Sequence, residues 1–191
     1  MATRTYERLE AFMAFMTRYN GLDELEAAMV GATAIAALLA LEPASLPPTS
    51  AQLNAAKLEY DALRAAAAYE GATCPAMSNT NLWAEIAAEV AAGEGAPTAN
   101  ENERYEAYWA LKGKIADLTA LNTAVQADGD ISTLAATDYT SATPTAVQLD
   151  DAKIAWDTFR AASTYGYGGV SLPILNVNSA LWVEIAAEAA A

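Results

Sequence analysis

The sequence repeats itself with an offset of 96 residues, which limits the chain to folds that one unit can build twice. Glu7-Arg8-Leu9-Glu10-Ala11-Phe12-Met13-Ala14-Phe15 lies over Glu103-Arg104-Tyr105-Glu106-Ala107-Tyr108-Trp109-Ala110-Leu111, with apolar character kept at every apolar position. The same offset places Leu22, Leu25, Ala28, Ile35 and Leu38 over Leu118, Leu121, Ala124, Ile131 and Leu134. It also places Lys57, Asp61, Arg64 and Tyr69 over Lys153, Asp157, Arg160 and Tyr165. About three extra residues follow Tyr165, after which Leu82-Trp83-Ala84-Glu85-Ile86 recurs as Leu181-Trp182-Val183-Glu184-Ile185. Agreement of this length, ungapped over most of the unit, predicts an all-α chain made by tandem duplication of a unit of roughly 96 residues and about four helices. The expected division is 1–93, a linker at 94–100, and 101–191; the linker's glycine, proline and polar residues suit a helix stop followed by a turn.

Within each unit, the first predicted helix carries Leu9, Phe12, Met13, Met16 and Tyr19, with Tyr105, Tyr108 and Trp109 on the matching face of its counterpart. A second, over about 22–41, is expected to follow a break at Asn20-Gly21. The third has the clearest start, because Thr49-x-x-Gln52 and Thr145-x-x-Gln148 both have capping-box form directly after a proline. Its core stripe reads Leu53, Ala56, Tyr60, Leu63 and Ala67, then Leu149, Ala152, Trp156, Phe159 and Ser163. The fourth begins at Asn79 or Asn178 as N-cap. The loops at 70–78 and 166–177 read as extended surface segments, briefly strand-like.

Charge and composition narrow the function. With 24 acidic and 10 basic side chains the net charge is −14, which repels phosphate backbones and anionic lipid surfaces, so no direct nucleic-acid or membrane partner is expected. The most apolar stretch, Ala27 to Leu41, is shorter than the roughly 20 residues of a membrane span. No apolar leader follows Met1, and a single cysteine, Cys74, points to no oxidising compartment. Synthesis in the cytoplasm is the expectation.

Histidine is absent, which removes the usual general base, the Ser-His and Cys-His nucleophiles and most transition-metal sites. The pairs Glu85/Glu89 and Glu184/Glu188 have a spacing that could hold a hard cation, but read more simply as solvated helix faces. Asp128-Gly129-Asp130 lacks the later ligands of a calcium loop and reads as a turn. The glycines lack the lysine and context of a phosphate cradle. Cys74 has no basic neighbour to activate it, and the four tryptophans read as core anchors. No cofactor is expected. Lys57/Asp61/Arg64 and Lys153/Asp157/Arg160 permit an ion-pair ladder on one helix face of each unit, either as local stabilisation or as two equivalent docking points.

The units differ most where Ala32, Ala34, Ala36 and Ala37 face Asp128, Asp130, Ser132 and Thr133. A helix face that is dry in one unit and wet in the other predicts an interface over residues 27–41. The candidate interface residues are Ala28, Val30, Ala32, Ala34, Ile35, Ala36, Leu38 and Leu39, joined by Val170, Leu172, Ile174 and Leu175 of the later loop. The reading that follows is a non-enzymatic structural or assembly protein presenting two quasi-equivalent modules to protein partners, as a homo-oligomer or within a larger assembly. A bacteriophage virion component, such as a capsid accessory or connector protein, has this general build. The alternatives are a bacterial helical adaptor and, third, a carboxylate enzyme using a divalent metal.

Overall fold

A computed structural model describes residues 3–41, 47–64, 67–93, 100–175 and 178–191. Residues 94–99, within the expected linker, and the side chains of Ala67, Thr164 and Tyr165 lie outside the described set. The described chain is all-helical: α1 Thr5–Gly31, α2 Thr33–Leu39, α3 Ser50–Leu63, a 3-10 turn Ala67–Tyr69, α4 Thr80–Ala92, α5 Glu101–Ala127, α6 Gly129–Ala135, α7 Ala146–Gly166 and α8 Ser179–Ala189. No helix among the described residues is long and apolar enough to cross a membrane.

The expected break at Asn20-Gly21 does not occur. Helix α1 runs through it, and Gly21 answers a different need: a Cβ there would stand 2.7 Å from the Tyr69 carbonyl oxygen and 2.9 Å from the Glu70 Cβ. A glycine inside a helix costs about 1 kcal/mol relative to alanine, and here it lets the crossing backbone approach. The break falls instead at Ala32 (φ −63°, ψ 133°) and, 96 residues on, at Asp128 (φ −64°, ψ 131°), one extended residue each time before the short helices α2 and α6.

Local start signals behave as read. Thr49 with Gln52, and Thr145 with Gln148, form complete capping boxes, while Asn79 and Asn178 accept from the backbone N–H groups of Leu82 and Leu181. These side chains satisfy donors that the first turn of a helix leaves open.

Buried residues from both sides of the linker join one hydrophobic core. Helix α1 packs on α5, α7 and α8, and α5 packs on α3 and α4. Leu22, Leu25 and Met29 of α1 and Leu118, Leu121 and Val125 of α5 are fully buried, and Phe15 meets the edge of Trp156 at 5.7 Å between centroids. The loops at 70–78 and 166–177 are not wholly surface segments: Ala72, Cys74, Met77, Val170, Leu172 and Leu175 are buried. The two loops pair through one antiparallel bridge, Thr73 with Ser171.

Candidate functional site: two surface grooves

Helices α3 and α4 splay to leave a groove of about 380 Å³ lined by Lys57, Leu58, Asp61, Met77, Trp83 and Ala87. Helices α7 and α8 leave another, of about 290 Å³, lined by Asp150, Lys153, Ser179, Trp182, Val183 and Ala186. Lys57 and Lys153 stand 96 positions apart in the sequence, and Trp83 and Trp182, and Ala87 and Ala186, 99 apart. The tryptophans are held because α4 and α8 turn their Leu, Trp and Ile face inward: Leu82, Trp83 and Ile86, and Leu181, Trp182 and Ile185, are all buried. Trp182 is fixed further by donating Nε1–H to the Leu175 carbonyl at 3.0 Å.

The first groove contains its whole ion-pair ladder, Lys57, Asp61 and Arg64, whereas of the second ladder only Lys153 lines the second groove. Lys57 Nζ and Arg64 Nε meet the Asp61 carboxylate at 2.5 and 3.1 Å; Lys153 Nζ and Arg160 Nε meet Asp157 at 2.7 and 3.4 Å. Such pairs, partly exposed, contribute a few tenths of a kcal/mol each. Lys57 also lies over the Trp83 ring at 5.9 Å. With Asp61 paired by its neighbours, the first groove presents an aromatic edge, small alanines and the apolar Leu58, while the second adds the carboxylate of Asp150 to Trp182, Val183 and Ala186.

The exposed aliphatic residues are what the sequence reading missed. Leu58 is 61% exposed and Ile154 58% exposed, at equivalent places on the outward faces of α3 and α7, and Val183 is 69% exposed beside the second groove. The signal was present: a large aliphatic residue follows the matched lysine in both units, off the core stripe.

The residues expected to form an interface are dispersed. Ile35 and Leu38 are core residues, as are Val170, Leu172 and Leu175. Ala28, Ala32, Ala34 and Leu39 are half-buried; Val30, Ala36 and Ile174 are exposed. Within the chain the four aligned pairs divide: Ala34 is half-buried where Asp130 is exposed, Ala32 and Asp128 are both half-buried, Ala36 is exposed where Ser132 is half-buried, and Ala37 and Thr133 are both exposed. Asp128 has a local reason to be polar: its carboxylate caps α6, accepting from Asp130 N–H and Ile131 N–H at 3.0 Å each.

Trp109 is 54% exposed, as is its counterpart Met13 at 49%, so it does not anchor the core as Trp83, Trp156 and Trp182 do. Lys112 covers its ring at 5.2 Å. Cys74 is buried, and burial pushes its thiol up to about 12, away from a reactive thiolate. Glu89 accepts from Ser50 Oγ at 2.6 Å, and Glu188 holds Thr3 and Arg8, so both carboxylates serve packing. Among the described residues no group of three or more His, Cys, Asp or Glu is placed to hold a metal ion.

No protein-family model, curated protein or solved structure matches the chain. The grooves must therefore be interpreted from their own chemistry.

Proposed function

We propose that the chain is a tandem duplication whose two units each offer one groove to a neighbouring subunit, making it a non-enzymatic assembly protein. The observation that carries this is the paired exposure of Leu58 and Ile154. Solvated positions are free to drift toward polar residues after a duplication, yet a large exposed aliphatic residue stands at both places, directly after a lysine that lines a groove. Supporting it, the unit boundaries recur: α1 and α5 are both 27 residues, α2 and α6 both 7. Two binding grooves per chain let an assembly propagate, where a single self-complementary patch would close as a dimer. A homo-oligomer, or a repeated position in a shell such as a bacteriophage virion, is the setting that uses both.

Size-exclusion chromatography with light scattering tests this on the full chain. The unmodified protein is expected to form a defined oligomer whose population rises with concentration, and Leu58→Asp with Ile154→Asp to reduce it to monomer without lowering Tm. A chain that stays monomeric across the concentration series, or an oligomer indifferent to both substitutions, overturns the reading.

A further inference from the structure

We infer that the two halves meet as the protomers of an isologous homodimer do, and that Asp23 and Glu26 against Thr119 and Asn122 keep the first half from pairing with a copy of itself; the inference rests on the duplication proposed above. In an isologous contact, if residue i touches j of the partner, the partner's i touches j in return. Two contacts have this form.

At the crossing of α1 and α5, Asn122 Nδ2 donates to Asp23 Oδ1 at 3.1 Å and Thr119 Oγ1 donates to Glu26 Oε1 at 2.9 Å. Positions 23 and 119 correspond at the 96-residue offset, as do 26 and 122, so these two hydrogen bonds are one contact seen from either side.

The loops supply the second. Glu70 and Gly71 are left-handed (φ 52° and 89°), and so are Gly168 and Gly169 (φ 61° and 90°). Pro75 and Pro173 offer their carbonyls to Tyr60 Oη–H and Trp156 Nε1–H, at 2.7 and 2.9 Å. Both agreements set the loop offset at 98, which pairs Tyr69 with Tyr167 instead of Tyr165 and makes Thr73 the counterpart of Ser171. Those two residues exchange backbone hydrogen bonds in both directions, at 3.0 and 2.8 Å. A residue bonded reciprocally to its own counterpart sits on a two-fold axis.

The same regions also meet without residue-by-residue reciprocity: Phe12 of α1 packs on Tyr139, beyond α6, at 5.8 Å between centroids, while its counterpart Tyr108 of α5 donates to the Leu41 carbonyl, beyond α2, at 3.3 Å.

The polar pair then selects against one pairing. Two copies of the first half would set Asp23 against Glu26 twice, bringing four carboxylates around a site where Asn122 is only 6% exposed. Like charges that close repel one another. Acids on α1 facing neutral donors on α5 remove the repulsion and satisfy the carboxylates.

Exchange of the residues between halves tests this in the full chain. Thr119→Asp with Asn122→Glu is expected to lower Tm by about 5–10 °C at pH 7, with recovery on acidification. Adding Asp23→Thr and Glu26→Asn should return Tm to within a few degrees of the parent, because a two-fold contact is indifferent to which side carries the acids. The shortfall is the lost bond from Gln126 Nε2 to Asp23, whose counterpart at position 30 is valine. If the double variant does not fold, near-parental folding of the fourfold variant still upholds the two-fold. A fourfold variant as unstable as the sum of its two doubles, or one that fails to fold, overturns it. The groove substitutions are on other faces and report through light scattering, so either proposal can fail alone.

Discussion

Helices α2 and α6 begin after the same kink, and each leaves two backbone N–H groups in need of an acceptor, but they are served from different places. Around α6 the acceptor is local, the Asp128 carboxylate at the N-cap. Around α2 the N-cap is Ala32, and Glu59 reaches across from α3 to accept from Ala34 N–H and Ile35 N–H at 2.8 and 3.1 Å. Glu59 has Ala155 as its counterpart, so acid and alanine have changed places between cap and neighbouring helix. The difference between the halves at position 32/128 therefore reflects one electrostatic requirement met two ways, and the lesson extends to the glycines. Where α1 passes the first loop, Gly21 makes room for Glu70; where α5 passes the second, Gly168 makes room for Asp117, whose carboxylate would lie 1.8 Å from a Cβ at 168.

The largest effect expected from breaking this correspondence is at Gly21. Gly21→Asp installs the residue that stands at 117 and drives a Cβ into the Tyr69 carbonyl, which is backbone and cannot rotate away; a loss of about 3 kcal/mol in denaturant unfolding is expected. Glu70→Gly in the same chain should restore part of it, since the second obstruction is the Glu70 Cβ. Additive losses would show that the two loops do not share one way of packing.

These exchanges also explain which parts of the fold could be read from the amino-acid sequence. Start signals made by neighbours in the chain, such as Thr49 with Gln52 and Asn178 with Leu181, are complete within four residues and were found. Gly21 looked like a helix stop because its reason lies at Tyr69 and Glu70, nearly fifty residues away. Ala32 against Asp128 looked like dry against wet because Glu59 is invisible to a register that compares only aligned positions. The core stripes of α3 and α7 followed from periodicity, but Trp109 shows that an aromatic beside a stripe can face water. The groove lysines stand out in the sequence by their charge, whereas the exposed Leu58 and Ile154 next to them do not, because a single apolar residue on a helix surface is ordinary.

A smaller effect is expected at the caps, and it gives the comparison a quantitative form. Glu59→Ala should cost about 1 kcal/mol by removing the acceptor for α2, measured as a shift in the midpoint of denaturant unfolding. Ala32→Asp added to it should recover most of that loss, giving the first half the arrangement of the second. On the parent chain the same Ala32→Asp should gain little, because two carboxylates would then compete for the same pair of N–H groups. The mirrored pair, Asp128→Ala with and without Ala155→Glu, should behave alike. Equal effects of Ala32→Asp in the presence and absence of Glu59 would refute the exchange.

The smallest effect sought lies at the acidic ends of α4 and α8. Glu89 takes the Ser50 hydroxyl. Glu188 takes Thr3 N–H at 2.6 Å, the Thr3 hydroxyl and Arg8 at 3.1 Å, tying the start of α1 to the end of α8. The Thr3 hydroxyl, then its N–H, holds the Glu188 carboxyl below the usual glutamate range, which centres near 4.3. A carboxyl with its pKa depressed by folding stabilises the fold above the unfolded value and loses that contribution as pH falls through the folded value. Glu188→Gln should therefore flatten the acid limb of a Tm-against-pH profile below about pH 4. It should also speed amide exchange at Thr3, where the donor loses its charged acceptor. Unchanged exchange together with an unchanged acid limb would mean that this tie contributes nothing, and that the chain's start is held by apolar packing of Phe12 and Phe15 alone.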